Sequence, residues 1–154
     1  MTAVVHLDGI DRVEADRTAA LAYELARASA HGAVDVTHVH DAAAARLTLT
    51  VSGGLPAVLR LLNGKSPGGA RLVEDGVHAS MTASVDGVGT AKAVAIGDHL
   101  LYAANNYPPG GPPLEVRTEH DERRTRLQVT LRGSLFATAY LLFLVNLHLT
   151  QSRT

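Results

Sequence analysis

The chain has no cysteine and no tryptophan, and its aromatic residues are four tyrosines and two phenylalanines. Without cysteine there can be no disulfide, no thiolate metal ligand and no cysteine nucleophile. So few aromatic rings leave little on which nucleic acid bases could stack. Charge of one sign is also missing. Fourteen Lys and Arg stand against fifteen Asp and Glu, for a formal charge of -1, and the densest basic run is Arg123, Arg124 and Arg126. Such a balance argues against a nucleic acid partner.

No long hydrophobic run reaches membrane length. Leu135 to Leu149, LFATAYLLFLVNLHL, is short of the roughly twenty residues a membrane span needs. It also carries Asn146 and His148, so a buried helix is expected and no membrane partner. The opening MTAVVHLDGI has no basic segment followed by an apolar run, so no secretory signal and a cytoplasmic location are expected. No G-x-S-x-G elbow, Walker loop, H-E-x-x-H or dinucleotide fingerprint occurs. Gly64-Lys65-Ser66 lacks the glycine pattern of a phosphate loop and is expected to be linker. No cofactor is expected.

What the chain does have is apolar content of 46% with 19% charged residues, enough for a core built from Ala, Val and Leu. It also repeats itself. Shifting the sequence by 80 positions aligns Val34–Leu62 with Leu114–Leu142 without a gap, and eleven of the 29 positions are identical, where chance gives roughly two. The identities include His40/His120, Asp41/Asp121, Arg46/Arg126 and Gly53/Gly133. Upstream, Leu7-Asp8-Gly9-Ile10 matches Val85-Asp86-Gly87-Val88, and Leu21-Ala22-Tyr23 matches Leu100-Leu101-Tyr102. A duplication is the economical explanation, and looking for one first protects the whole fold assignment.

Periodicity then gives the elements. Ala3 to Asp8 is a strand. Asp16 is a suitable N-cap for a helix from Arg17 to about Ala30, with Gly32 as its stop. Val34 to His40 and Arg46 to Gly53 form a hairpin, and a helix from Leu55 ends at Asn63-Gly64. After a linker over 65–69, a turn at Asp75-Gly76 leads into the strand Val77 to Val85. In the second copy, Ala91 to Ile96 is expected as a strand and Asp98 to Asn106 as a short helix. A Pro/Gly-rich loop, Asn105 to Pro113, follows. Leu114 to His120 and Arg126 to Arg132 make the second hairpin, and Leu135 to Leu149 the last helix.

The expected fold is α+β: tandem duplicated ferredoxin-like (β-α-β-β-α) units with antiparallel sheets, residues 1–80 and 81–154, together one compact domain. Their open sheet faces can turn toward each other and close into an α+β barrel. The strand at 77–85 either closes the first unit or is shared between the halves.

Strand alternation sends Val5, Leu7, Leu47, Leu49, Met81, Leu127 and Leu131 to the helix-covered side. The opposite face receives the candidate ligand-binding residues His6, His78, Thr48, Thr50, Thr82, Arg117, Thr130 and Arg132. In the ferredoxin-like strand order the first and fourth strands are neighbours, which sets His6 beside His78. Imidazoles among hydroxyls suit an anion, a polar ring or acid/base chemistry; a solvated face is the alternative. His38-x-His40 puts two rings on one side, and with Asp41 or His120 could ligate a metal. The repeated placement of His40-Asp41 and His120-Asp121 favours instead an Asp41–Arg46 and an Asp121–Arg126 bridge, with each His at the rim of the core, and no metal.

The function expected is a small-molecule-binding or accessory protein with its ligand on the polar face. The alternatives are a cofactor-independent enzyme, cyclase or oxygenase-like, acting on a polyketide-like substrate, and an assembly subunit. The last helix is apolar on nearly every side, so Tyr140, Leu141, Leu144 and Val145 are expected to need a second cover, either the other repeat's helices within the chain or a second subunit. A homodimer is the favoured expectation, because the helix Arg17 to Ala30 is small-sided and has its own sheet face to cover.

Overall fold

The computed structural model describes residues 1–28, 32–63, 78–106 and 114–151. Among these the elements run β1 Thr2–Asp8, α1 Arg12–Arg27, β2 Val34–Asp41, β3 Arg46–Gly53, α2 Leu55–Asn63, β4 His78–Asp86, α3 Thr90–Asn106, β5 Glu115–Asp121, β6 Arg126–Ser134 and α4 Leu135–Gln151. The strands form a single antiparallel sheet in the order β2-β3-β1-β4-β6-β5. Two β-α-β-β-α runs thus follow one another, and their first strands pair at the centre. From β1 the sheet continues outward through β3 to β2, and from β4 through β6 to β5.

That arrangement corrects the expectation of two sheets facing one another across a barrel. β4 lies beside β1 and so occupies the fourth-strand place for the first run while opening the second. One sheet results, with β2 and β5 at its edges. The expected linker at 65–69, the turn at Asp75-Gly76 and most of the Pro/Gly loop fall outside the described residues.

The two runs share their turn chemistry. At the β2–β3 turn Asp41 Oδ1 accepts from the amides of Ala43 (3.0 Å) and Ala44 (3.2 Å), and Ala45 is left-handed at φ 49°. At the β5–β6 turn Asp121 Oδ1 accepts from Arg123 (3.0 Å) and Arg124 (3.2 Å), with Thr125 at φ 47°. An aspartate that satisfies its own turn amides explains why Asp stands at both positions. Each turn then receives the chain after the run's first strand: Ile10 N donates to Ala45 O at 2.9 Å and Val88 N to Thr125 O at 2.8 Å. Gly53 and Gly133 also repeat for a steric reason. A Cβ at Gly53 would meet the Ala33 carbonyl oxygen, and one at Gly133 would run into the Leu114 side chain, where the edge strands begin.

Two helices depart from expectation. α1 starts at Arg12, capped by Asp11, whose side chain accepts from Glu14 N at 2.8 Å; Asp16 lies inside the helix and is exposed. Gly9, at φ 74°, turns the chain directly after β1, so the helix begins earlier than the first apolar spacing suggests. The expected strand at Ala91–Ile96 and the short helix after it are one helix, α3. Its buried residues Ala93, Ile96, Leu100 and Ala104 recur at helical spacing, a pattern that a six-residue apolar window cannot distinguish from a strand.

The inward side chains Val5, Leu7, Leu47, Leu49, Val51, Met81, Val129 and Leu131 have no accessible surface. All belong to the face that the helices cover, as alternation requires. α4 packs over β4 and β6 and against both α2 and α3. Leu141, Leu144 and Val145 are therefore buried within the chain, while Tyr140 remains 42% exposed. This corrects the expected homodimer surface: a helix can be apolar nearly all round because sheet and two flanking helices enclose it. Among the described residues no helix is long and apolar enough to cross a membrane.

Candidate functional site

The face of the sheet opposite the helices carries polar side chains in cross-strand rows. One row runs Thr48–His6–Ser80–Arg132–Glu115, the next Thr50–Val4–Thr82–Thr130–Arg117. A third brings Arg46 beside Asp8, and at that end of the sheet His78 pairs with Ser134. Over β1, β4 and β6 these rows line a recess of about 760 Å³, whose walls are His6, Asp8, Arg46, His78, Ser80, Thr82, Glu115, Thr130, Arg132, Gly133 and Ser134.

Five of the eight residues expected at a ligand site line this recess: His6, His78, Thr82, Thr130 and Arg132. Thr48 stands behind it, its hydroxyl 2.8 Å from His6 Nδ1. Thr50 shares the face, opposite Val4, without lining the recess. Arg117 lines an adjoining hollow of about 360 Å³ with Glu115, Val116, Thr130 and Arg132.

Asp8 organises one end. Arg46 Nε donates to its Oδ1 at 2.8 Å and His78 Nδ1 donates to its Oδ2 at 3.0 Å. The Arg46 hydrogen bond holds the Asp8 carboxyl below the usual aspartate value; partial burial opposes this, and His78 adds to the lowering. The expected Asp41–Arg46 bridge is thereby corrected. In register Arg46 stands between Asp41 on β2 and Asp8 on β1, and Asp41 Oδ1 is taken by the turn amides. The second run repeats this, with Arg126 Nε donating to Asp86 Oδ1 at 2.8 Å in place of the Asp121–Arg126 bridge. The hydrogen bond to Asp86 raises the Arg126 pKa above its ordinary value. Asp8, Arg46, Ser80 and Glu115 were not among the sequence candidates. The signal for the first pair was present in the repeats of Leu7-Asp8-Gly9 and of Arg46.

His38 and His40 face the helices. His38 Nδ1 lies 2.8 Å from Tyr23 Oη, and His40 Nε2 donates to the Ile10 carbonyl at 2.8 Å. His120 Nε2 makes the same bond to Val88 O at 2.6 Å. A ring nitrogen that donates a proton to a carbonyl is not offering its lone pair to a metal. Among the described residues no three His, Asp or Glu are grouped to hold a metal ion. A further imidazole pair joins α3 to α4: His99 Nδ1 and His148 Nε2 are 2.7 Å apart. Burial lowers the His148 pKa below 6.5, and His99 and Lys92 lower it further.

No protein-family model matches the chain, and no curated protein does. Among solved structures, the regulatory subunit of aspartate kinase from Thermus flavus aligns over 96% of this chain and 92% of its own, at 18% identity and a TM-score of 0.29. A likeness at that score assigns this chain neither ligand nor activity.

Proposed function

We propose that this protein is a small-molecule-binding or accessory protein whose ligand lies on the polar face of the sheet, over β1, β4 and β6. The supporting observation is the recess itself, where side chains from both β-α-β-β-α runs converge on one hollow of about 760 Å³, a size in the range of small-molecule sites. We regard the two runs, which divide near residue 80, as products of a duplication, because turn, ion pair and histidine contact recur in both. Function falls at the seam, where the first strands of the copies differ: Ser84 stands in β4 where β1 has His6. A cytoplasmic location belongs to the same proposal and rests on the sequence alone.

The test is a screen of small polar compounds against the isotope-labelled chain by NMR. Shifts are expected on the outward residues of β1, β4 and β6, and are lost in a Thr82→Val, His78→Ala double variant that keeps its fold. Binders that map only to the helix side would end the proposal.

One observation favours a second reading, a cofactor-independent enzyme. Asp8 fixes His78 through Nδ1 and so leaves Nε2 to accept a proton, the arrangement a general base needs. Turnover of a bound compound that disappears in His78→Gln would select this reading.

A further inference from the structure

Resting on the polar-face reading, we propose that the ligand carries a small oxyanion, phosphoryl or carboxylate, which sits over Ser80 between His6, His78 and Arg132. The register places His6 and Arg132 on either side of Ser80, one strand away in each direction. Neighbouring strands are about 4.8 Å apart, so the two backbones are about 10 Å apart and their long side chains close on a group a few ångströms wide. His78 precedes Ser80 by two residues on the same strand and projects to the same face, about 7 Å away. Three nitrogen-bearing side chains thus flank Ser80 in the register and line the same recess.

The existing hydrogen bonds decide what those nitrogens can take. Both Asp8 oxygens are engaged, by Arg46 and His78, so the nearest carboxylate is not a free acceptor. If the Thr48 hydroxyl donates to His6 Nδ1, His6 Nε2 carries the hydrogen and donates outward. His78 Nδ1 already donates to Asp8, so a proton on Nε2 makes it an imidazolium between two anions, Asp8 on one side and the ligand on the other. Arg132 supplies a fixed cation suited to an oxyanion. Its only ion pair among the described residues is to Glu115 on the edge strand, at 3.9 Å with both side chains mostly exposed. A contact that long and wet is weak, and an oxyanion can displace it.

The experiment titrates inorganic phosphate and, separately, acetate into the full chain at constant ionic strength, following the His6 and His78 ring resonances. Saturable shifts of both rings are expected. Arg132→Gln should weaken binding about tenfold or more, the effect of one charge-assisted hydrogen bond. Glu115→Gln should tighten binding by removing the competing carboxylate. Arg126→Gln, whose guanidinium is tied to Asp86, should leave it unchanged. A response to phosphate alone assigns a phosphoryl ligand, to acetate alone a carboxylate, and to both the shared chemistry. Absence of a saturable shift with either anion overturns the inference, as does an Arg126→Gln variant weakened as much as Arg132→Gln. Should glucose move the same resonances while both anions fail, the polar-face site stands and the oxyanion falls. If neither anion nor glucose reaches that face, and the wider screen finds no binder there, both are lost.

Discussion

Asp8 and His78 are 70 residues apart in sequence and 3.0 Å apart in space, joined across the β1–β4 seam where the two runs meet. Arg46 holds the other oxygen of the same carboxylate, so Asp8 ties three strand ends together. Its folded pKa is lowered, so its contribution is present above the unfolded aspartate value of 3.8 and is lost as pH falls through the lower folded value. Asp8→Asn should reduce stability at neutral pH by about 1 kcal/mol or less, because these groups are partly exposed. It should also flatten the acid limb of a stability-versus-pH curve from urea unfolding. An unchanged acid limb would show that Asp8 is not linked to folding.

His40 and His120 make one contact each to a main-chain carbonyl in equivalent places. His40→Ala and His120→Ala should each cost about 1 kcal/mol, the net worth of a hydrogen bond. Added zinc should leave the stability of the unaltered chain unchanged. Stoichiometric zinc bound by the intact chain and lost in His40→Ala would contradict the rim assignment.

Leu144 is 6% exposed on the flank of α4. Leu144→Glu should therefore destabilise the chain by about 3 kcal/mol or more, combining lost apolar burial with a buried charge. Sedimentation should detect no change of assembly in whatever fraction remains folded. A variant of unaltered thermal stability that only shifts a dimer to monomer would restore the partner-covered surface.

The His99–His148 contact requires one ring nitrogen to accept, so the pair cannot be doubly protonated and keep its bond. Burial lowers the folded His148 pKa, so the unfolded chain binds the proton first as pH falls below 6.5. Stability should decline from there until the lower folded value is reached, then level off. His148→Gln should remove most of that decline, measured by thermal unfolding at a series of pH values from neutral into the mildly acidic range. A decline of equal size in the variant would assign it elsewhere.

The sequence by itself determined the β2–β3 and β5–β6 hairpins and, for β3 and β6, which side chains face the helices. Leu47, Leu49 and Val51 had to be buried once Thr48 and Thr50 faced the other way, because the side-chain period of a strand is two. The eleven identities likewise made the repeat of His40, Asp41, Arg46 and Gly53 legible, since each position answers a local demand of turn, bond or close approach. Only the tertiary structure decided the rest. Whether β4 closes the first run or opens the second depends on β1–β4 pairing, which no local pattern encodes. The choice of Asp8 over Asp41 as the partner of Arg46 depends on how the turn amides of Ala43 and Ala44 hold the Asp41 carboxylate through Oδ1, while Asp8 on the other neighbouring strand meets Arg46 Nε at 2.8 Å. The cover over Leu141, Leu144 and Val145 depends on where α2 and α3 settle, and burial by another element of the same chain looks, in sequence, the same as burial by a second molecule.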